Sequence, residues 1–332
     1  WADVSGDNKK IVFQSVKDLS QGNNLMNGSI MIMAAASDAQ PQKIAENGFL
    51  PTWSPDGTQV AFMRADGGKA EIWSIKETGG KEQKLTEGSI SSPGYSVSPY
   101  NRIQSSVFSW SPNGDSIAYV SNRNGFSNVW QVKVSDSGNV ESMITNNADE
   151  SRLLYCPVWS SDGSKLAFYS RSQGQAANVS AEHVYSTIDV KTKDERKIAK
   201  SDSLTRLIGW TEADKGLLIA AASKFAGLPP EVELFEINAE TGAKREIIKL
   251  ENCYYYNIKL SNGGKSIAFV AHSDEKDDVW TFELGGGKPK KLTNNNDPNL
   301  YFSSLSWSPD MRAIYFGKQT RYSLLSMLTN FK

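Results

Sequence analysis

WSPDGTQVAF at 53–62 returns as WSPNGDSIAY at 110–119, WSSDGSKLAF at 159–168 and WSPDMRAIYF at 307–316. Three weaker copies, VSGDNKKIVF at 4–13, WTEADKGLLI at 210–219 and LSNGGKSIAF at 260–269, align with these without a gap. The seven copies start 49, 57, 49, 51, 50 and 47 residues apart. A period of this size marks a repeat architecture in which each unit is one supersecondary element.

Each unit reads as four strands. A short apolar stretch ends in Trp, as in Leu50 to Trp53, and a Ser/Pro/Asp/Gly tetrad follows with turn chemistry. Pro presets φ, Asp accepts local backbone hydrogen bonds and Gly tolerates positive φ. A second strand carries alanine between two large apolar residues: Val60-Ala61-Phe62, Ile117-Ala118-Tyr119, Leu166-Ala167-Phe168, Ile267-Ala268-Phe269. A third strand centres on an aromatic, Trp73, Trp130, Phe235 or Trp280. A more polar fourth ends the unit, as in Gln83 to Thr86. The front strands are apolar on both faces, which suits sheets covered on both sides.

This pattern predicts an all-β fold: a seven-bladed β-propeller of four-stranded antiparallel blades in a single domain, 1–332. The last repeat shows strands one to three, ending at Ser323–Leu328, and no fourth before Lys332. Either the last blade has three strands or residues upstream of Trp1 complete it. A chain that starts at Trp1 is also what removal of a secretory signal would leave.

Composition narrows the function. With 36 basic and 37 acidic residues, the chain lacks the basic excess that phosphate binding needs, which argues against nucleic acid as the main partner. No apolar run reaches the ~18–20 residues of a membrane-spanning helix. Cys156 and Cys253 form no framework and no metal-ligand spacing, and read as small partly buried thiols. Only two histidines, His183 and His272, are present, too few for a His-rich metal site.

WSPDG, the IAF-type strand, the aromatic third strand and a terminal KLT (Lys84-Leu85-Thr86, Lys291-Leu292-Thr293) resemble the TolB-type propeller repeat. The resemblance covers essentially the whole chain and extends to the propeller portion only of TolB itself. It implies a bacterial, periplasmic or surface-exposed scaffold that binds protein segments or other ligands. Prolyl oligopeptidase-family enzymes and oligogalacturonate lyases have related propellers.

The search for chemistry finds no catalytic constellation. There is no G-x-S-x-G elbow and no H-E-x-x-H pair. The GGKS at Gly263–Ser266 falls on the repeat turn and lacks the upstream P-loop glycine. The acidic run Ser273–Asp278 lacks EF-hand spacing and reads as a solvated turn. No catalytic residue, cofactor or metal is therefore assigned. A carboxylate pair for glycoside hydrolysis has no spacing that would identify it.

The remaining signal lies in loops. In a propeller, the connections from a fourth strand to the next first strand share a face with those joining strands two and three. Segments of that class run through Gly88–Ser106, Asn146–Tyr155, Ser201–Leu207, Asn252–Asn257 and Asn294–Phe302. They supply the candidate ligand-binding residues Tyr95, Arg102, Arg152, Tyr155, Arg206, Tyr254, Tyr255 and Tyr301. Tyrosine offers rigid amphipathic area and arginine a planar donor fork, the chemistry of recognition surfaces. The ordinary alternative is that these tyrosines pack at the start of the first strands. The favoured function is a non-catalytic bacterial envelope scaffold binding a protein or peptide segment. The alternatives are an oligosaccharide-binding propeller linked to polysaccharide use and, behind it, a propeller lyase or hydrolase.

Overall fold

The computed structural model describes residues 2–16, 28–36, 38–66, 69–87, 107–135, 138–172, 182–201, 205–223, 231–273 and 275–320. The side chains of 254–256 lie outside that description. Its strands follow the repeat. The first seven are β1 (Ala2–Val4), β2 (Lys10–Ser15), β3 (Gly28–Ala34), β4 (Gln42–Trp53), β5 (Gln59–Asp66), β6 (Lys69–Lys76) and β7 (Gln83–Lys84), joined in chain order in one antiparallel sheet. This sheet is two repeat units sharing a strand. Residues up to Gly48 of β4 pair with β3, and Phe49 to Trp53 pair with β5.

Four separate four-stranded sheets follow. They are β8–β11 (Phe108–Trp110, Ser116–Ser121, Asn128–Lys133, Val140–Met143) and β12–β15 (Arg152–Trp159, Lys165–Ser172, His183–Asp189, Glu195–Ser201). Then come β16–β19 (Thr205–Trp210, Gly216–Ser223, Glu231–Asn238, Lys244–Leu250) and β20–β23 (Cys253–Leu260, Ser266–Ser273, Lys276–Glu283, Lys290–Lys291). The last unit is described as β24 (Leu300–Trp307) and β25 (Ile314–Thr320). The third strand expected at Ser323–Leu328 lies outside the described residues. Among the described residues no helix is long and apolar enough to cross a membrane.

The repeat turn explains its own composition. Ser54 Oγ donates to Asp56 Oδ1 at 2.6 Å and accepts from Gln59 N at 3.0 Å, while Thr58 N donates to Asp56 Oδ1 at 3.1 Å. The same ladder recurs at Ser5/Asp7, Ser111/Asn113, Ser160/Asp162 and Ser308/Asp310. The fifth position always has positive φ: 70° at Gly57 and 67° at Gly264, but also 62° at Asn8, 55° at Asp214 and 59° at Met311. A methionine there is strained where glycine is not. Met311→Gly should therefore raise the unfolding free energy by about 0.5–1 kcal/mol, read by denaturant titration.

The turn aspartates also couple stability to pH. The Ser164 N–H, then the Ser160 and Ser164 hydroxyls, hold the Asp162 carboxyl down to about 2. A carboxylate depressed in the folded state stabilises fully above its unfolded value of about 4, and that share is lost as pH falls through about 2. Asp162→Asn should lose stability relative to the parent above pH ~4, the two curves converging near pH ~2.

Packing runs from each sheet to the next. Val12, Ile30 and Ile32 meet Trp53, Val60 and Phe62; Phe49, Met63 and Ile72 meet Phe108, Ile117 and Tyr119. Ala118 and Val129 meet Trp159, Leu166 and Phe168; Ala167 and Tyr185 meet Leu207, Trp210 and Ile219. Leu218 and Leu234 meet Ile258 and Phe269, and Ala268 and Val270 meet Phe302 and Leu305. Hence the second-strand pattern: its large residues face the preceding sheet, and its alanine faces the following one, whose bulk fills the space.

The first strands sit together. Trp159 Nε1 donates to Ser109 O (3.1 Å), Trp210 Nε1 to Val158 O (3.0 Å) and Trp307 Nε1 to Lys259 O (3.0 Å), each reaching the first strand of the unit before. The first and last described units also meet: β1 packs on β24, and Ser306 Oγ lies 3.2 Å from Asp3 Oδ1. The sheets are thus stacked in chain order, and the first strand meets the last described unit.

Candidate binding face

The structure brings the described candidates to one end of adjacent first strands. β12 packs on β16, β16 on β20 and β20 on β24. Arg152 and Tyr155 lie in the leading half of β12, Arg206 near the start of β16, Tyr254 and Tyr255 in the leading half of β20, and Tyr301 near the start of β24. The Ser/Pro/Asp/Gly turns leave these strands at the opposite end. Tyr95 and Arg102 lie outside the described residues.

Their surroundings differ. Arg152 is half-buried and committed within its own sheet: its guanidinium pairs with Glu195, and Nε donates to Ser170 Oγ at 3.1 Å. Tyr155 stacks on its cross-strand partner Tyr169, with ring centroids 4.9 Å apart and planes 6° from parallel. Burial pushes the Tyr155 phenol pKa up, against the nearby Arg171 charge. Arg206 and Tyr301 are both half-buried. Tyr254 and Tyr255 are placed by backbone alone.

Beneath Tyr155 is a polar-aromatic cluster that single-residue reading of the sequence does not reveal. Tyr169 meets the His183 ring edge-on at 5.7 Å and Tyr185 at 6.3 Å. Tyr185 donates its hydroxyl to Thr205, and Thr205 Oγ1 lies 3.3 Å from His183 Nδ1. Burial raises the Tyr185 pKa well above its usual range, opposed by the Thr205 hydrogen bond. His183 is therefore a buried, hydrogen-bonded side chain between two sheets. The signal available in sequence was the cross-strand pairing of Tyr155, Tyr169 and Tyr185, which only a strand register exposes.

The acidic run at Ser273–Asp278 corrects the expectation of a solvated turn. Asp277 is 2% exposed and Asp278 1%. Asp277 Oδ1 lies 2.9 Å from His272 Nδ1, and Oδ2 accepts from Phe302 N at 3.0 Å. Asp278 accepts from Thr293 Oγ1 at 2.7 Å and Asn295 N at 2.9 Å, and pairs with Lys291. These carboxylates fasten β22 to β24 and to the terminal KLT segment. Both cysteines are buried and neither is in a disulfide. Among the described residues, no group of three or more His, Cys, Asp or Glu side chains is placed to hold a metal ion.

Two open grooves occur at the turn end. One, of about 540 Å³, runs between the third and fourth units past Asn113, Gln131, Lys133 and Trp159. The other, of about 430 Å³, lies between the fifth and sixth past Lys215, Glu236, Arg245 and Lys265. Its charges are largely matched internally, Arg245 with Glu236 and Lys265 with Glu212. The clustered tyrosines and arginines can offer stacking area and charge-assisted hydrogen bonds, with no nucleophile assigned among them.

Comparison with solved structures gives the architecture. The β-propeller domain of the Trilobed protease from Pyrococcus furiosus matches at a TM-score of 0.66 and 13% identity, over 96% of this chain and 88% of that one. An acylaminoacyl peptidase in complex with Z-Gly-Gly-Phe-chloromethyl ketone matches at 0.61 and 11%, over 96% of this chain and 48% of that one. Dipeptidyl peptidase 4 of Porphyromonas gingivalis matches at 0.56 and 13%, over 92% of this chain and 47% of that one. This chain therefore spans about half the length of those two peptidases, and the likeness is one of fold. No curated protein matches in sequence. The family model of the TolB beta propeller domain matches residues 3–201 and 109–330, and the chain belongs to that family.

Proposed function

We propose that the chain is a non-catalytic scaffold of the bacterial envelope, periplasmic or at the cell surface, that binds a protein segment on its loop-rich face. In this reading, residues 1–332 form one domain, a ring of seven blades. The meeting of β1 with β24 supports ring closure. One observation carries the function: Tyr155, Arg206 and Tyr301 stand at the same end of three first strands held in succession by inter-sheet packing. A rigid scaffold presenting aromatic and arginine side chains from separate elements suits recognition of an extended segment.

The experiment is a pull-down from bacterial envelope extract, with the chain as bait and an Arg206→Ala/Tyr301→Ala variant of unchanged circular dichroism as control. A protein retained by the parent and lost by the variant supports the reading. Equal retention by both baits, or retention of none, contradicts it. Displacement by free oligosaccharide would favour the glycan-binding alternative.

A further inference from the structure

The groove of about 540 Å³ between the third and fourth units opens where one repeat turn departs from the others. Four copies carry aspartate as the turn acid, Asp7, Asp56, Asp162 and Asp310. Two residues on, each has a donor: Lys9, Thr58, Ser164 or Arg312. The fifth and sixth units keep a donor there too, Lys215 and Lys265. The third unit reverses the order, with Asn113 in the place of the acid and Asp115 in the place of the donor.

The turn does not need this exchange. Asn113 Oδ1 accepts from Ser111 Oγ at 2.7 Å, as Asp56 and Asp162 accept from Ser54 and Ser160. What changes is the chemistry offered to the groove. The second carboxylate oxygen of Asp56 accepts the Thr58 hydroxyl at 2.8 Å, and that of Asp162 the Ser164 hydroxyl at 2.8 Å. In the third unit an amide NH2 replaces that oxygen, and a carboxylate stands two residues along.

A chain of hydrogen bonds fixes these groups. Asp115 Oδ1 accepts from Ser116 Oγ at 2.7 Å, and Ser116 Oγ accepts from Gln131 Nε2 at 2.8 Å. Ser111 and Ser116 are buried, so the chain is anchored in the sheet while Asn113, Asp115 and Gln131 line the groove. The Asn113 amide, Asp115 Oδ2, Gln131 Oε1 and the Lys133 ammonium have no protein partner among the described residues. Two donors and two acceptors on a preformed wall match hydroxyl groups, each of which both donates and accepts. Lys133 is set against Asp115, with Asp162 lining the fourth-unit side, so an uncharged ligand fits better than an acidic one. Trp159 is only 8% exposed, which leaves little apolar area to anchor the side chains of a peptide.

We propose that this groove binds a neutral oligosaccharide, with Asn113, Asp115, Gln131 and Lys133 reading its hydroxyl groups. The site lies at the turn end and does not rest on the loop-rich face or on a protein partner there.

The test is an NMR titration of the full-length chain with maltotriose, cellotriose, mannotriose and trigalacturonic acid. At least one neutral sugar is expected to give saturable shifts at the Trp159 indole N–H and the Gly114 and Gly163 amides. Asn113→Asp/Asp115→Ser writes the fourth unit's turn into the third, and should weaken that binding about 10-fold or more with circular dichroism unchanged. Lys133→Ala, at an exposed position that the turn does not use, should weaken it about 3-fold or more. Arg206→Ala/Tyr301→Ala should bind the sugar as the parent does, which separates this site from the loop-rich face. The site is refuted if no neutral trisaccharide binds saturably, if the shifts fall on the leading halves of the first strands, or if both groove variants bind as the parent does. Tighter binding of trigalacturonic acid than of every neutral sugar would also overturn it.

Discussion

Phe168→Ala is expected to lower the unfolding free energy by about 3–5 kcal/mol, and Ala167→Leu by about 1–3 kcal/mol. Neither substitution should rescue the other. Phe168 is fully buried against Ala118 and Val129 of the preceding sheet, so truncation opens a cavity in that layer. Ala167, its chain neighbour, faces the following sheet, where Trp210, Leu217 and Ile219 fill the space that a larger side chain would need. In a sheet covered on one face only, exchanging a large and a small neighbour could compensate. Here the two side chains occupy different layers and share no partners, so the double variant should show nearly the sum of the two costs. Urea titrations of the two single variants and the double variant decide this.

Asp277→Ala is expected to cost about 2–4 kcal/mol, and Asp277→Asn less, because an amide oxygen keeps one acceptor. The carboxylate receives the Phe302 N–H and the His272 ring across three strands, and truncation leaves the buried amide without a partner. Hydrogen exchange on the alanine variant should show the Phe302 amide losing protection together with the leading half of β24. A uniform loss across all sheets would mean instead that Asp277 acts through global stability alone.

Much of the fold was legible in the repeat because each of its letters has one job. The Ser/Asp pair builds a turn ladder, the fifth position takes positive φ, and alanine marks the face that receives the next sheet. The shared strand β4 was not legible, since a register change inside a continuous strand leaves no composition signal. Asp277 and Asp278 misled for a different reason. Charged runs usually face water, and their burial depends on partners at Phe302, Lys291 and Thr293 that lie in other strands. At the candidate face, the repeat phase placed Tyr155, Arg206 and Tyr301 at the leading end of their strands. It could not show that Arg152 is spent on Glu195, a pairing between residues 43 positions apart.

The most direct test of the scaffold reading is hydrogen exchange of the chain, alone and saturated with the envelope protein it retains. The account predicts added protection in the leading halves of β12, β16, β20 and β24, with the repeat turns at 54–57, 111–114 and 160–163 unchanged. Protection confined to those turns would place the partner at the opposite end of the sheets and contradict the account.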